Sequence, residues 1–436
     1  MMLWKHLKLV LLKKPVLVYL LIASLWWVAF NPGFFSGDSF AIVNMARNNE
    51  LDNQWTAPWA IYIDIVTLGG SHPEFATLLT AIIFALSLAI FSKVLPDKHR
   101  AYFVGALLIL TPTVGAMGIT LWHDIPMTAG FLLVISGTTR ADISQRESFA
   151  LVFMGLCLSS FRFNGLPTIL VFLLILLFTK IDKKFVSISI LLTIFFIVSA
   201  TLLNQNFSPA ASNGRSAYIG WMRNDISCYV SQHENSDFLN KVYGKKLDYS
   251  DWSSSSACGW FNTAKNYTDH SLSLENGIIP AWLELSKKDP AFVLKTHLQR
   301  HAYLIPLPIF GAPSIPFIHT TIEMQNQGVA FTYPKATEVL RYYPRIWNYF
   351  NFFFGYAGFW LAITFYFAWA KRNSSYFQIG YVGLITSLVL FVFADIPDGR
   401  YMLFTLVTGQ FIFLYELSGS CIRRLAIIFE RFRSNQ

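Results

Sequence analysis

Charge is what this chain has least of for its length. Of 436 residues only 14% are Asp, Glu, Lys or Arg, against 54% hydrophobic, and the mean hydropathy is +0.44. An ordinary soluble domain is about a quarter charged, so soluble folds are excluded and a polytopic membrane protein is expected. Cysteine is scarce too. The four residues form no CxxC, which excludes a cysteine cluster, and no dedicated metal-ligand set is expected. No glycine-rich phosphate loop occurs, which argues against a nucleotide-driven machine. Nor is there one basic face: the +9 formal charge is spread as small clusters beside apolar blocks, where it sets topology and gives no footprint for nucleic acid.

What is present is apolar blocks of roughly 16 to 22 residues, the length that crosses about 30 Å of hydrocarbon. They predict an all-α chain of about ten transmembrane helices. The first, Pro15 to Phe30, follows Lys5, Lys8, Lys13 and Lys14; no small-residue cleavage site follows, and Trp26 and Trp27 suit an interface, so it reads as an uncleaved anchor. Residues 31–73 read as an outer loop, with Phe40 to Arg47 and Trp55 to Leu68 lying as interfacial helices. Ala76 to Leu95 returns inside. The run from Ala101 to Gly137 is too long for one span and is expected to be a hairpin turning at Trp122-His-Asp-Ile-Pro126. An aspartate costs a few kcal/mol at mid-membrane but can cap a helix at a turn. Phe149 to Phe161, Leu166 to Thr179 and Phe185 to Leu203 complete an N-terminal module of seven spans, residues 1–203.

Residues 204–347 are rich in Ser, Asn and Tyr and read as a mostly helical outer domain. Three more spans fill 348–418, and 419–436 is a basic tail whose segment Leu425 to Phe432 reads as amphipathic. Every short inner segment is basic (Lys93, Lys98, Arg100; Arg140, Arg146; Lys180, Lys183, Lys184; Lys371, Arg372; Arg423, Arg424). Both termini are therefore expected in the cytoplasm. Cys228 and Cys258 share the outer domain, where an oxidising compartment permits a disulfide. The triplets Asn206-Phe-Ser and Asn266-Tyr-Thr are sequons by pattern only.

Charged groups in apolar surroundings require a reason. On this topology they gather at the outer face: Asp38, His72 and Glu74, His123 and Asp124, Arg162, then Asp395, Asp398 and Arg400. Each has a plain reading. Asp38, between Ser36 and Ser39, and Asp124, two before Pro126, suit helix caps; Arg162 and Arg400 suit snorkelling, and Arg400 could pair with Asp398. Their convergence from separate segments favours a site. Two carboxylates and two arginines suit transfer of a group from a lipid-linked phosphate: a carboxylate as general base, guanidiniums on the leaving phosphate. No cofactor is required.

Phe34-Phe-Ser-Gly-Asp-Ser39, Ser71-His-Pro-Glu74, Leu121-Trp-His-Asp-Ile-Pro126, Phe161-Arg-Phe-Asn-Gly165 and Asp398-Gly-Arg-Tyr401, in this order among spans, resemble the GT-C class of membrane glycosyltransferases, best over residues 15–180. The resemblance implies a polyprenyl-phosphate sugar donor, a glycan or lipid acceptor, a catalytic acid at Asp38 and a second at Asp124. It also implies a donor-synthesising enzyme and a flippase as pathway partners. The class often pairs acidic residues in its first loop; Asp38 has no adjacent partner, which leaves use of a divalent metal open. Among bacterial members the size and outer domain are similar to serotype-converting O-antigen glucosyltransferases, which modify lipopolysaccharide in the periplasm. That implies the bacterial inner membrane. A transporter or flippase of a lipid-linked or anionic substrate is the rival, though no broken helix or repeated half is read from the sequence. An O-antigen ligase or polymerase is another.

Overall fold

A computed structural model describes residues 15–49, 55–140, 142–206, 220–233, 275–300, 324, 328–348, 354–372, 374–393 and 399–434. They are helices joined by short turns, with an isolated parallel bridge between Phe34 and Thr120. The first group is α1 (Pro15–Ala29), α2 (Gly37–Asn48), α3 (Ala57–Val66), α4 (Pro73–Phe91), α5 (Lys98–Leu110), α6 (Pro112–Gly118), α7 (Asp124–Thr139), α8 (Gln145–Ser159), α9 (Gly165–Leu176) and α10 (Lys183–Asn206). Then come α11 (Gly220–His233), α12 (Glu275–Lys288), α13 (Pro290–Arg300), α14 (Pro334–Leu340) and α15 (Tyr342–Asn348). The last are α16 (Ala357–Lys371), α17 (Ser374–Phe393) and α18 (Leu403–Ser434).

Among the described residues, two helices are long and apolar enough to cross a membrane, Pro73–Val94 and Lys183–Gln205, and a third if the bent pair α5 and α6 counts as one. Helices α1, α3, α9 and part of α17 are apolar but shorter. The bend breaks the first arm of the expected hairpin, while α7 begins at Asp124, within the stretch where the turn was expected. The bend measures 75° and falls at Thr111, whose extended backbone (φ −67°, ψ 138°) is what a residue before proline adopts, because the Pro112 ring clashes with a helical neighbour. A second departure is α18, which runs unbroken from Leu403 to Ser434 where a span and a separate tail were expected.

Helix α7 is the hub. Every residue from Asp124 to Thr138 is buried, and the helix is correspondingly apolar all round. It packs on α4 and α8, and α8 comes close because Gly130 lies against Ser159 and the Gly155 carbonyl, where a side-chain carbon would not fit. Beyond its end, Arg140 Nε and Lys98 Nζ donate to the two oxygens of Asp142 (2.9 and 2.8 Å). The Arg140 bond, then that of Lys98, holds this exposed carboxyl well below the usual carboxylate range. Ser144 and Glu147 cap α8 at the same end, where Lys371 and Tyr376 also meet Glu416 (3.5 and 2.7 Å).

In the 204–347 region α11, α12 and α13 form a small helical unit. Trp282 Nε1 donates to buried Asp225 (2.8 Å), and Tyr229 packs edge-on to Phe292.

Candidate functional site

The end of the body opposite Asp142 is organised by residues 31–39. Gly33 has φ +104°, and a β-carbon there would sit 2.8 Å from both the Ile119 carbonyl and Thr77; only glycine fits. Thr77 Oγ1 donates to the Pro32 carbonyl (2.6 Å), the Phe34 amide to Ile119 O (3.2 Å), and the Leu121 amide back to Phe34 O (3.0 Å). Ser36 then caps α2 and forms a reciprocal capping box with Ser39. The Ser36 oxygen also accepts from Trp122 Nε1 (2.7 Å), and the Ser39 hydroxyl donates to Leu121 O (2.8 Å). Capping is thus done by Ser36, correcting the cap reading of Asp38. Asp38, partly buried, lies in the first turn of α2, where a carboxylate complements the helix dipole. It sits one residue before Ser39, which touches the segment leading to Asp124.

Asp124 is the first residue of α7, and its N-cap is His123, whose side chain makes no cap bond. Its carboxylate is fully buried and in direct contact with the Arg162 guanidinium, which is 11% exposed. Arg162 comes from the turn between α8 and α9, and its charge is turned onto Asp124. Its guanidinium carbon lies 3.9 Å from the ring centroid of Tyr401, in the 3₁₀ turn Gly399–Met402 that leads into α18. Three segments far apart in sequence therefore meet at one ion pair. Such a pair is costly to bury, and guanidinium suits the place because its planar fork can stack on a ring while bonding a carboxylate. An aromatic wall stands beside it. Trp59 and Tyr62 of α3 pack on Phe161 (5.6 and 5.0 Å between ring centroids), and Trp59 on His123 (6.1 Å).

The other expected site residues fare differently. His72 Nδ1 and Glu74 Oε1 bond each other at 2.9 Å near the surface, with His72 stacked on Phe75. The backbone of Arg400 lies in the same 3₁₀ turn as Tyr401; its side chain, with Asp395 and Asp398, lies outside the described residues. Cys228 is disulfide-bonded and buried, and Cys258 lies outside the described residues. Among the described residues no group of three or more His, Cys, Asp or Glu could hold a metal ion. The sequence reading assigned Tyr401 no role beyond its place in the Asp398-Gly-Arg-Tyr401 motif, and none to the buried hydroxyls of Thr128, Ser159 and Thr168 on the three helices around the pair. Serine and threonine recurring near charged turns were the available signal. It also passed over His297 and His301, four apart in sequence; the side chain of His297 and the whole of His301 lie outside the described residues.

Comparison with family models, with curated proteins and with solved structures finds no match to this chain.

Proposed function

We propose that this chain is a membrane glycosyltransferase that moves a sugar from a polyprenyl-phosphate donor to a glycan or lipid acceptor at the outer face of a bacterial inner membrane. In this reading ten helices span, both termini are cytoplasmic and residues 204–347 are periplasmic. The observation that carries it is the buried Asp124–Arg162 pair beside the stitched loop bearing Asp38. Arg162 has five N–H donors, enough to bond Asp124 and a phosphate together. Asp124, neutralised by Arg162, is the group that orients it, which leaves Asp38 as the base. The acceptor hydroxyl attacks the anomeric carbon and its proton passes to Asp38. The bond from that carbon to the phosphate oxygen breaks, and polyprenyl phosphate leaves with the electron pair, held by Arg162 and, in this reading, Arg400.

The protein in liposomes with a polyprenyl-phosphate sugar and a glycan acceptor tests this. Asp38→Asn should lower transfer about 10²- to 10⁴-fold at normal protein level, with donor binding kept; near-normal transfer would remove Asp38 as base. The bent α5–α6 pair favours a second reading, a transporter of a lipid-linked anion, since transporters place broken helices at their sites. The same liposomes separate the two: the enzyme releases polyprenyl phosphate, whereas a transporter moves the donor across intact.

A further inference from the structure

Within the 204–347 region, residues 331–343 lie against the loop end and bond there to groups that helices leave unsatisfied. The Thr332 amide donates to Asn31 O (2.9 Å), and its hydroxyl bonds Asn31 Oδ1. Thr337 Oγ1 donates to the carbonyl of Ala29, the last residue of α1 (2.8 Å). Tyr343 Oη donates to the carbonyl of Leu110, the last residue of α5 before the bend (3.0 Å). Terminal carbonyls of this kind have no partner within their own helix. Tyr343 also stacks near Trp26, whose indole donates to Ile109 O (2.9 Å). Phe331 packs edge-on to both Phe30 and Phe34 (centroids 6.2 and 6.0 Å), the two rings that flank the turn at Asn31 to Gly33.

We propose that this segment is a positioning strap: Phe331 and Thr332 fix the turn at Asn31 to Phe34, and through it the placement of α2 and Asp38. The inference rests on the proposed role of Asp38 for its catalytic consequence, and on geometry alone for its effect on the loop. The contacts given above fall on Phe30, Asn31 and Phe34, so the two residues act through the turn. Loosening the strap leaves Asp124, Arg162 and Tyr401 in place, because none of the strap contacts above falls on them. Catalysis is sensitive to small misplacements of a reacting group even when binding is intact.

Phe331→Leu and Thr332→Val, with Thr332→Ser as the variant that keeps the hydroxyl, are to be compared with the full-length wild type in liposomes. In Phe331→Leu and Thr332→Val, amide hydrogen exchange in residues 31–39 should quicken while that in α7 stays unchanged. Their kcat for sugar transfer should fall about tenfold at unchanged donor KM, and Thr332→Ser should match wild type. Unchanged exchange in 31–39 for both variants overturns the proposal, as does faster exchange spread evenly through the molecule. The exchange arm needs no turnover, so a wild type that transfers no sugar counts against the glycosyltransferase reading and not against the strap.

Discussion

The two ends of α7 carry the same chemical pair in opposite surroundings. At its start the Asp124 carboxylate has no exposed surface and meets Arg162; just past its end Asp142, 42% exposed, meets Arg140 and Lys98. Water and salt screen the second group, and exposed pairs of this kind are worth about 0–1 kcal/mol. The first is different in kind. Taking both ions out of water costs several kcal/mol each, and an apolar substitute is often as stable. Stability alone therefore accounts poorly for the buried pair. A need for a fixed guanidinium at that end of the molecule accounts for it well.

The comparison is sharpest if one charge is removed from the buried pair. Asp124→Asn or Arg162→Gln alone strands a buried charge and should cost about 3–5 kcal/mol, seen as thermal unfolding in detergent micelles. The double variant Asp124→Asn/Arg162→Gln should recover most of that. A double variant as unstable as either single one would mean that charge compensation is not what the pair provides. Tyr401→Leu comes next. Removing the ring beneath Arg162 should cost about 0.5–2 kcal/mol, and a cycle with Arg162→Gln should return most of it as coupling; zero coupling would separate the ring from the pair.

The smallest effect belongs to the exposed end. Asp142→Asn should change stability by less than about 1 kcal/mol at neutral pH and low salt, and by nothing measurable at high salt. Its pH dependence has a definite sign. Hydrogen bonds from Arg140 and Lys98 depress the folded-state carboxyl. Its contribution is therefore complete above the ordinary carboxylate pKa, about 3.9, and fades as pH falls below it. The difference between wild type and Asp142→Asn should accordingly be flat from neutral pH downward until that range. A difference that grew on acidification would contradict the ion-pair assignment.

Helical content and order were legible because apolar blocks and prolines punctuate the chain: α2 and α3 fall where amphipathic pieces at 40–47 and 55–68 were read. Asp124 and Arg162 were legible as residues needing a reason, since a lone charge in an apolar run has few uses. Their direct contact was not, because pairing across two turns depends on how α7, α8 and α9 pack. The place of Tyr401 against Arg162 was hidden for the same reason, although the residue stands in a motif the sequence singles out. Ser36 and Asp38 are both good caps, and local sequence could not choose between them; Trp122, more than eighty residues on, helps fix Ser36. The bend at Thr111 was available from Pro112 but was overridden by reading hydropathy alone.

Two glycines four positions apart in the site loop face different futures under mutation. At Gly33 any side chain must enter space held by the Ile119 carbonyl and Thr77, on a backbone turn that L-residues rarely adopt; at Gly37 a β-carbon meets nothing within 4 Å. A lineage carrying this chain can thus explore new side chains at the residue next to Asp38 while the turn beneath it stays closed to change. Position 37 is an open door to new side chains and position 33 is not.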